Sequence, residues 1–429
     1  MIVPLIALLQ LTATVPQAPA DSAPRVTLAE ALQRASRFDP EYVRALGQVD
    51  QAEWGRRAAR IAFIAPALSL SLDATKYDRP FFNIGTSGLT STSVTAQWNA
   101  RYELFSGRKF ADLGRTAAEL ESATAGELQS RFATALLTES DYYAVLADQE
   151  LTRVESERVT RAESQLAVAR ARVTSGGAVQ TDSLQLRLEL TRARVGLLRQ
   201  AAALRTARLE LGRRVGISGP VDAVPLDTMP ASQLPLGLAE AVDRTLRQGP
   251  EYRVARANER AAAAFYQGRR GTYLPVLTLS ANNSRFDNHL FPSASVVTSV
   301  SFGVSLPLWD NGNREIALTQ ARVNRDVSRT VREDLERAAL RDVTEAYDAY
   351  ETARASTDLA QQAVLVAVEN NRVQELRYRS GATTILDLLE AQAGLTAAQS
   401  DLVQSRYANR LALAGLEAML GQRLFSGKQ

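Results

Sequence analysis

Residues 93–105 read SVTAQWNARYELF, and this stretch decides the fold class of the chain. From Val94 to Leu104 every second residue is apolar or aromatic, and the residues between them are polar or charged. A period of two over such a run predicts a β-strand with one apolar and one polar face. The segment that follows, residues 109–174, contains no proline and only two glycines. It predicts one very long helix, about 100 Å at about 1.5 Å per residue, which suits coiled coils or helical tubes rather than compact globules.

The same two patterns occur elsewhere in the chain. Residues 68–75 and 296–306 alternate in the same way, and the segment after Pro275 predicts a fourth, less regular strand. Residues 314–379 contain neither proline nor glycine and predict a second very long helix. A shorter helix is expected over residues 28–65, ended by Pro66.

The chain is a duplication. LAEA at residues 28–31 recurs at 238–241, PEY at 40–42 recurs at 250–252, and the Ser-Gly pair at 175–176 recurs at 380–381. The order is the same in both halves, which a chance match would not produce. We therefore predict four segments. They are a signal peptide at residues 1–20, a first repeat at 21–215, a linker at 216–236 and a second repeat at 237–429, each repeat holding a helix, two strands and a long helical hairpin.

Composition excludes several classes of function. The chain has no cysteine and a single histidine, His289, which argues against thiolate or histidine metal sites and against nucleophile–histidine pairs. Basic residues are spread along the chain rather than clustered, which argues against a nucleic-acid partner. No glycine loop of the phosphate-binding type is present. We expect no enzyme activity, no cofactor and no metal site.

The strands indicate an oligomer. An isolated hairpin is marginal in water, and four strands cannot close a membrane barrel, since the smallest have about eight. Three copies would supply twelve strands. In that arrangement the apolar face, with Val94, Trp98 and Tyr102, would contact lipid, and the face of Ser93, Thr95 and Gln97 would line the lumen. The predicted fold class is mixed and mainly α, with long coiled-coil helices and β-hairpins that trimerise into a twelve-stranded β-barrel and a helical tube.

Several motifs resemble TolC-type outer-membrane efflux proteins. They are the duplicated order of helix, strands and long helical hairpin, the PLWDNG stretch at residues 307–312 between strand and helix, and the YRSG stretch at 378–381 before the last helix. The resemblance implies a homotrimeric channel in the outer membrane of a Gram-negative bacterium, with a helical extension into the periplasm. It also implies a passive exit duct from periplasm to exterior that docks a periplasmic adaptor (membrane fusion) protein and an inner-membrane pump.

The resemblance also implies roles for residues near the two helical turns. The implied roles are three: partner-docking tips at Gly176, Gly177 and Gly381, a periplasmic gate at Asp387 and Glu390, and a gate latch between Asp182 and Tyr378. A structural interpretation stays open for each. The glycines can simply end long helices, and residues 384–387 fit a capping box, in which an acid favours the first turn of a helix.

Two other functions stay open from the sequence. The same duct could export proteins, as in type I secretion, rather than small molecules. A periplasmic coiled-coil adaptor or structural protein is the alternative of another class. Adaptors usually carry one helical hairpin, whereas this chain has two together with lipid-compatible strands.

Overall fold

The computed structural model describes residues 23–84, 87–226, 234–293 and 295–424, so the predicted signal peptide lies outside the described residues. The first half contains β1 (Arg25–Val26), α1 (Leu28–Phe38), α2 (Pro40–Ile64), β2 (Ala67–Asn83), β3 (Gly88–Phe105), α3 (Gly107–Thr174) and α4 (Gln180–Arg214). The second half contains β4 (Asp222–Ala223), α5 (Leu238–Gln248), α6 (Pro250–Gly271), β5 (Val276–Asp287), β6 (Ser295–Ser305), α7 (Asn313–Ser380) and α8 (Ile385–Leu420).

The prediction of one helix over residues 28–65 was wrong. Two helices, α1 and α2, occupy this region, and the break lies at Asp39. A residue that precedes a proline avoids the helical conformation, and proline favours the first helical position. Asp39 is accordingly extended (φ −71°, ψ 120°), and its carboxylate accepts the amides of Glu41 and Tyr42 at the start of α2. The second half has the same break, at Gly249 before Pro250.

The two very long helices are confirmed, each with 68 residues. Helix α3 begins directly after β3, and α7 begins after the short segment 306–312 that follows β6. A side chain caps each helix. The Ser106 hydroxyl accepts the Lys109 amide at 3.1 Å, and the Asp310 carboxylate accepts the Arg314 amide at 3.1 Å. These bonds satisfy helix amides that have no partner within the helix.

The chain packs as two compact units. One, here the tip unit, comprises the described residues of Met1–Phe38, Thr138–Met229 and Thr357–Tyr407; the other, the sheet unit, comprises those of Asp39–Leu137, Pro230–Ser356 and Ala408–Gln429. Each unit takes residues from both halves of the chain. The repeat boundaries at 21–215 and 237–429 remain predictions from the sequence.

Part of the segment expected to be a linker belongs to the core of the tip unit. Strand β4 pairs in parallel with β1, and Val221 and Ala223 are buried beside it. The Tyr142 hydroxyl, itself fully buried, donates to the Val224 carbonyl at 2.6 Å. The apolar side chains of this segment explain why it packs instead of spanning solvent.

The sheet unit contains one antiparallel sheet in the order β2-β3-β5-β6. Its register places Leu70 opposite Trp98 and, one residue on, Ser71 opposite Gln97. Because neighbouring strands keep their faces aligned, the predicted alternation gives the sheet one largely apolar and one polar face. Trp98 on the apolar face is 57% exposed.

The predicted lipid contacts need correction at two positions. Val94 shares the face of Trp98 but is only 2% exposed, and it lies close to the register shift between Lys76 and Phe81. Tyr102 is half-buried because its hydroxyl donates to the Phe63 carbonyl at 2.8 Å and the Lys109 ammonium stands over its ring. Within the described ranges, no helix has the length and apolar character needed to cross a membrane.

Candidate functional site: the two hairpin tips

The turns that join α3 to α4 and α7 to α8 have the same backbone. Gly176 and Gly381 both have φ of +77°, a left-handed conformation that glycine adopts without strain. The Gly177 amide donates to the Arg172 carbonyl, and the Ala382 amide to the Arg377 carbonyl, each at 2.8 Å. Such a bond at the end of a helix, from an amide to the carbonyl five residues earlier, is typical of the Schellman motif. The capping interpretation of Gly176 and Gly381 is therefore realised in the structure.

Gly177 differs from the other two glycines. It has no left-handed φ, and a Cβ built on it would meet only ordinary contacts, the nearest at 3.7 Å. All three tip glycines are exposed. Nothing in the backbone thus requires glycine at position 177, so this position can report on docking separately from capping.

Asp387 closes a capping box at the start of α8. Its carboxylate accepts the Thr384 hydroxyl at 2.7 Å and the Thr384 amide at 3.1 Å, and the Asp387 amide in turn faces the Thr384 hydroxyl at 3.3 Å. The Thr383 hydroxyl adds a bond at 2.7 Å. The hydroxyl donors of Thr384 and Thr383 are the main reason that the pKa of Asp387 lies below its ordinary value. Glu390 lies one turn further along α8 and is exposed.

Tyr378 and Asp182 lie together, as the latch requires. The Tyr378 hydroxyl is 3.4 Å from the Asp182 carboxylate, which is long for a bond between two oxygens. Tyr378 is only 1% exposed and packs with Leu186 and Leu388 in one core cluster. Burial, followed by the charge of Asp182, raises the pKa of Tyr378, so the side chain stays a neutral donor at physiological pH.

Arg172 is a member of the site that sequence reasoning missed. One guanidinium nitrogen donates to the Tyr378 carbonyl, and the other donates to the Gly177 carbonyl at 2.8 Å. The guanidinium carbon also stands 4.8 Å from the centre of the Tyr378 ring. From sequence, a basic residue in the last helical turn predicts only a favourable interaction with the helix dipole. In the described part of the chain, no cluster of histidine, aspartate and glutamate is placed to hold a metal ion.

The family follows from comparison with known proteins. The model for the family described as outer membrane efflux protein matches residues 31–216 and 241–422. The chain belongs to this family. The two matched segments correspond to the two halves of the duplication, and together they hold both tips.

Individual relatives agree with this assignment. The chain is 24% identical to the probable efflux pump outer membrane protein TtgC of Pseudomonas putida over 372 residues, 84% of this chain and 76% of the relative. It is 28% identical to the pyoverdine export outer membrane protein OpmQ of Pseudomonas aeruginosa over 424 residues, 93% of this chain and 85% of the relative. Among solved structures, the outer membrane protein VceC of Vibrio cholerae superposes with a TM-score of 0.74 at 20% identity, covering 93% of this chain and 97% of that one.

These comparisons confirm the predicted mainly α fold with long helices and strands, the role in efflux and the outer-membrane location. The chain is an outer-membrane efflux channel protein. The family and its structural neighbours are channel proteins rather than known enzymes.

Proposed function

We propose that three copies of this chain assemble into a passive exit duct from the periplasm to the exterior. The observation that carries this proposal is the sheet of the sheet unit. It has one polar face and one largely apolar face, and in the described residues β2 and β6 each pair on one side only. An open edge invites pairing with another chain, and closure into a barrel removes it. Three four-stranded sheets give the twelve strands that such closure needs.

The strand length fits a membrane. The shortest of the four strands, β6, has 11 residues, which extend about 36 Å at about 3.3 Å per residue. Tilted by ~45°, such a strand covers about 26 Å along the membrane normal, close to the ~25 Å apolar band of outer-membrane barrels. On β6 the residues of the apolar face are exposed, among them Val300 at 70%.

The long helices also present surfaces that suit a trimer. In the tip unit, α4 buries Leu186, Leu190 and Ala193 against its own protomer while a second apolar stripe on another face stays exposed. Helix α7 carries a similar exposed stripe. Both stripes have the three-and-four spacing of a coiled-coil seam, and a neighbouring copy would cover them. The stripes are Leu184, Leu188, Val195 and Leu198 on α4, and Leu359, Val366, Val373 and Leu376 on α7.

In this assembly the tips would be the periplasmic end. An adaptor protein and an inner-membrane pump would dock there, at Gly176, Gly177 and Gly381, and the pump would supply the energy. Asp387 and Glu390 would form the gate, and the contact between Tyr378 and Asp182 would hold it shut. The names of the relatives, an efflux pump component and a pyoverdine export component, support a role in export. The cargo would be set by the pump.

A pair of arginine substitutions on β6 tests the assembly. Val300 lies on the apolar face and Ser301 on the polar face, where its hydroxyl is 3.0 Å from that of Ser280. Arginine on a lipid-facing position near the membrane centre costs about 2–4 kcal/mol per site. We expect Val300→Arg to reduce the heat-stable trimer recovered from outer membranes, and Ser301→Arg to leave it nearly unchanged. Equal recovery of the two variants would contradict the barrel.

A further inference from the structure

Arg172 joins the two hairpins of the tip unit. It lies in the last turn of α3, yet one of its two carbonyl acceptors, that of Tyr378, belongs to the last turn of α7. The other acceptor, the Gly177 carbonyl, belongs to its own tip. The two acceptors are 201 positions apart in a chain of 429 residues, so the guanidinium ties one repeat to the other.

The equivalent arginine of the second repeat does not make this connection. Arg377 occupies the same place in α7 and donates to the Ala382 carbonyl, the counterpart of Gly177, at 3.4 Å. That bond stays within its own tip. Because the backbones of the two tips match, Arg377 is an internal control for the contacts that Arg172 makes in addition.

The chemistry of helix ends explains why an arginine can make this connection. The last carbonyls of a helix lack partners within the helix and carry partial negative charge. Arg172 donates to one such carbonyl, that of Tyr378 at the end of α7, and to the Gly177 carbonyl in the turn after α3. Its planar fork reaches both acceptors while its face stacks on the Tyr378 ring. A Cβ added to Gly381 would lie 3.5 Å from one of its nitrogens, so the second tip lies in contact distance of the guanidinium.

We propose that Arg172 is the positioning residue of the gate latch. It fixes the end of α7 against the first tip, and this places the Tyr378 hydroxyl at Asp182. Opening the duct then requires the Arg172–Tyr378 carbonyl bond to break before or together with the Tyr378–Asp182 contact. This inference rests on the proposed function, because it assumes a periplasmic end that closes.

Single-channel recording of the purified full-length chain in planar bilayers tests the proposal. Arg172→Gln removes the charge and the fork, and we expect the open-state occupancy to rise about tenfold. The matched control Arg377→Gln loses a weak bond within its own tip and a positive charge near Asp387, neither of which touches Tyr378 or Asp182. Its open-state occupancy should therefore stay within about twofold of the parent. Arg172→Lys keeps the charge but lacks the planar fork, and it should give an intermediate rise.

The readouts separate this proposal from the one on which it rests. Heat-stable trimer should be recovered equally from parent, Arg172→Gln and Arg377→Gln, because the stripes and the sheet that assemble the trimer are untouched. If Arg172→Gln fails to assemble into trimers, Arg172→Lys provides the test instead. An Arg172→Lys channel with the open-state occupancy of the parent would then overturn the inference. Arg172→Gln and Arg377→Gln with equal conductance would overturn it as well. A parent chain that forms neither trimers nor channels would instead refute the proposed function.

Discussion

The two hairpin tips share a backbone but use equivalent side chains differently. Asp182 and Asp387 occupy the same position after a left-handed glycine, in the first turn of α4 and of α8. Asp387 is held by the hydroxyls of Thr383 and Thr384. At the first tip Val179 stands where the second has Thr384, and no side chain caps α4. Asp182 is therefore available to Tyr378.

The two repeats have therefore divided two roles of one carboxylate between them. In the second repeat the carboxylate completes a helix start, and in the first it accepts from the other repeat. The position of Tyr378 is occupied by Val173 in the first repeat, so the reverse contact cannot form. At the tips, Arg172 therefore donates to the end of α7 and Tyr378 donates to Asp182, and the equivalent pair with the two repeats exchanged is absent.

Removing the latch should have the largest effect. Tyr378→Phe with Asp182→Ala deletes the hydroxyl donor and its acceptor while leaving the ring that stacks on Arg172. A hydrogen bond to a charged group contributes about 1.5–3 kcal/mol, and the 3.4 Å distance points to the lower end. We expect a rise of about tenfold in open-channel occupancy in planar bilayers, with trimer recovery unchanged. A double variant that conducts like the parent would leave Asp182 without a latch role.

The glycines should separate docking from capping. Position 177 has no left-handed φ, and no atom lies close to a Cβ placed there, so Gly177→Leu introduces no backbone strain. It should reduce export from living cells several-fold, because it places a bulky side chain on the docking surface, while heat-stable trimer persists. Gly381→Leu adds the strain of a left-handed residue and places its side chain against Arg172, so it should abolish export. Normal export by Gly177→Leu would restrict the tip glycines to capping.

The gate carboxylates should have a smaller effect, on ion selectivity. Three protomers would bring six carboxylates of Asp387 and Glu390 near one axis, where they attract cations. Asp387→Asn with Glu390→Gln should lower the cation preference and relieve block by multivalent cations, measured as reversal potential and blocked current. Unchanged values for both would leave Asp387 as a helix cap alone.

Acidification sharpens this test. With Glu390→Gln alone, Asp387 carries the remaining selectivity, and hydrogen bonds from Thr384 and Thr383 lower its pKa. A carboxyl with a lowered pKa stays ionised until the pH falls below the ordinary value, which is about 3.9 for aspartate. Cation preference of this variant should therefore persist at pH 5. Its loss near pH 5 would show that the carboxylates repel one another more strongly than the hydroxyls stabilise Asp387.

Much of this molecule follows from sequence because its patterns are local and long. The period of two in residues 93–105 predicted β3, and the glycines at the ends of α3 and α7 predicted both turns. The break at Asp39 was missed because the apolar pattern continues across it, although Pro40 was a signal for it. Arg172 could not be found this way. Nearly every basic residue of the chain is arginine, and only packing brings this one to α7.

Single substitutions at the two tips should exchange their helix-capping roles. Thr384→Ala removes the cap of α8 and should cost about 1 kcal/mol of local stability. The exchange of the Asp387 and Leu388 amides, which bond Thr384, with solvent deuterium should then accelerate about fivefold. Val179→Thr supplies the missing cap at α4, and Val179 is 64% exposed, so no core packing is lost. The new hydroxyl would bond Asp182 as Thr384 bonds Asp387, which slows exchange at the start of α4 but draws the carboxylate away from Tyr378. We therefore expect Val179→Thr to stabilise the helix start and at the same time to raise channel conductance slightly. Stabilisation without any change in conductance would mean that Asp182 can cap and latch at once, and the division of roles between the tips would be wrong.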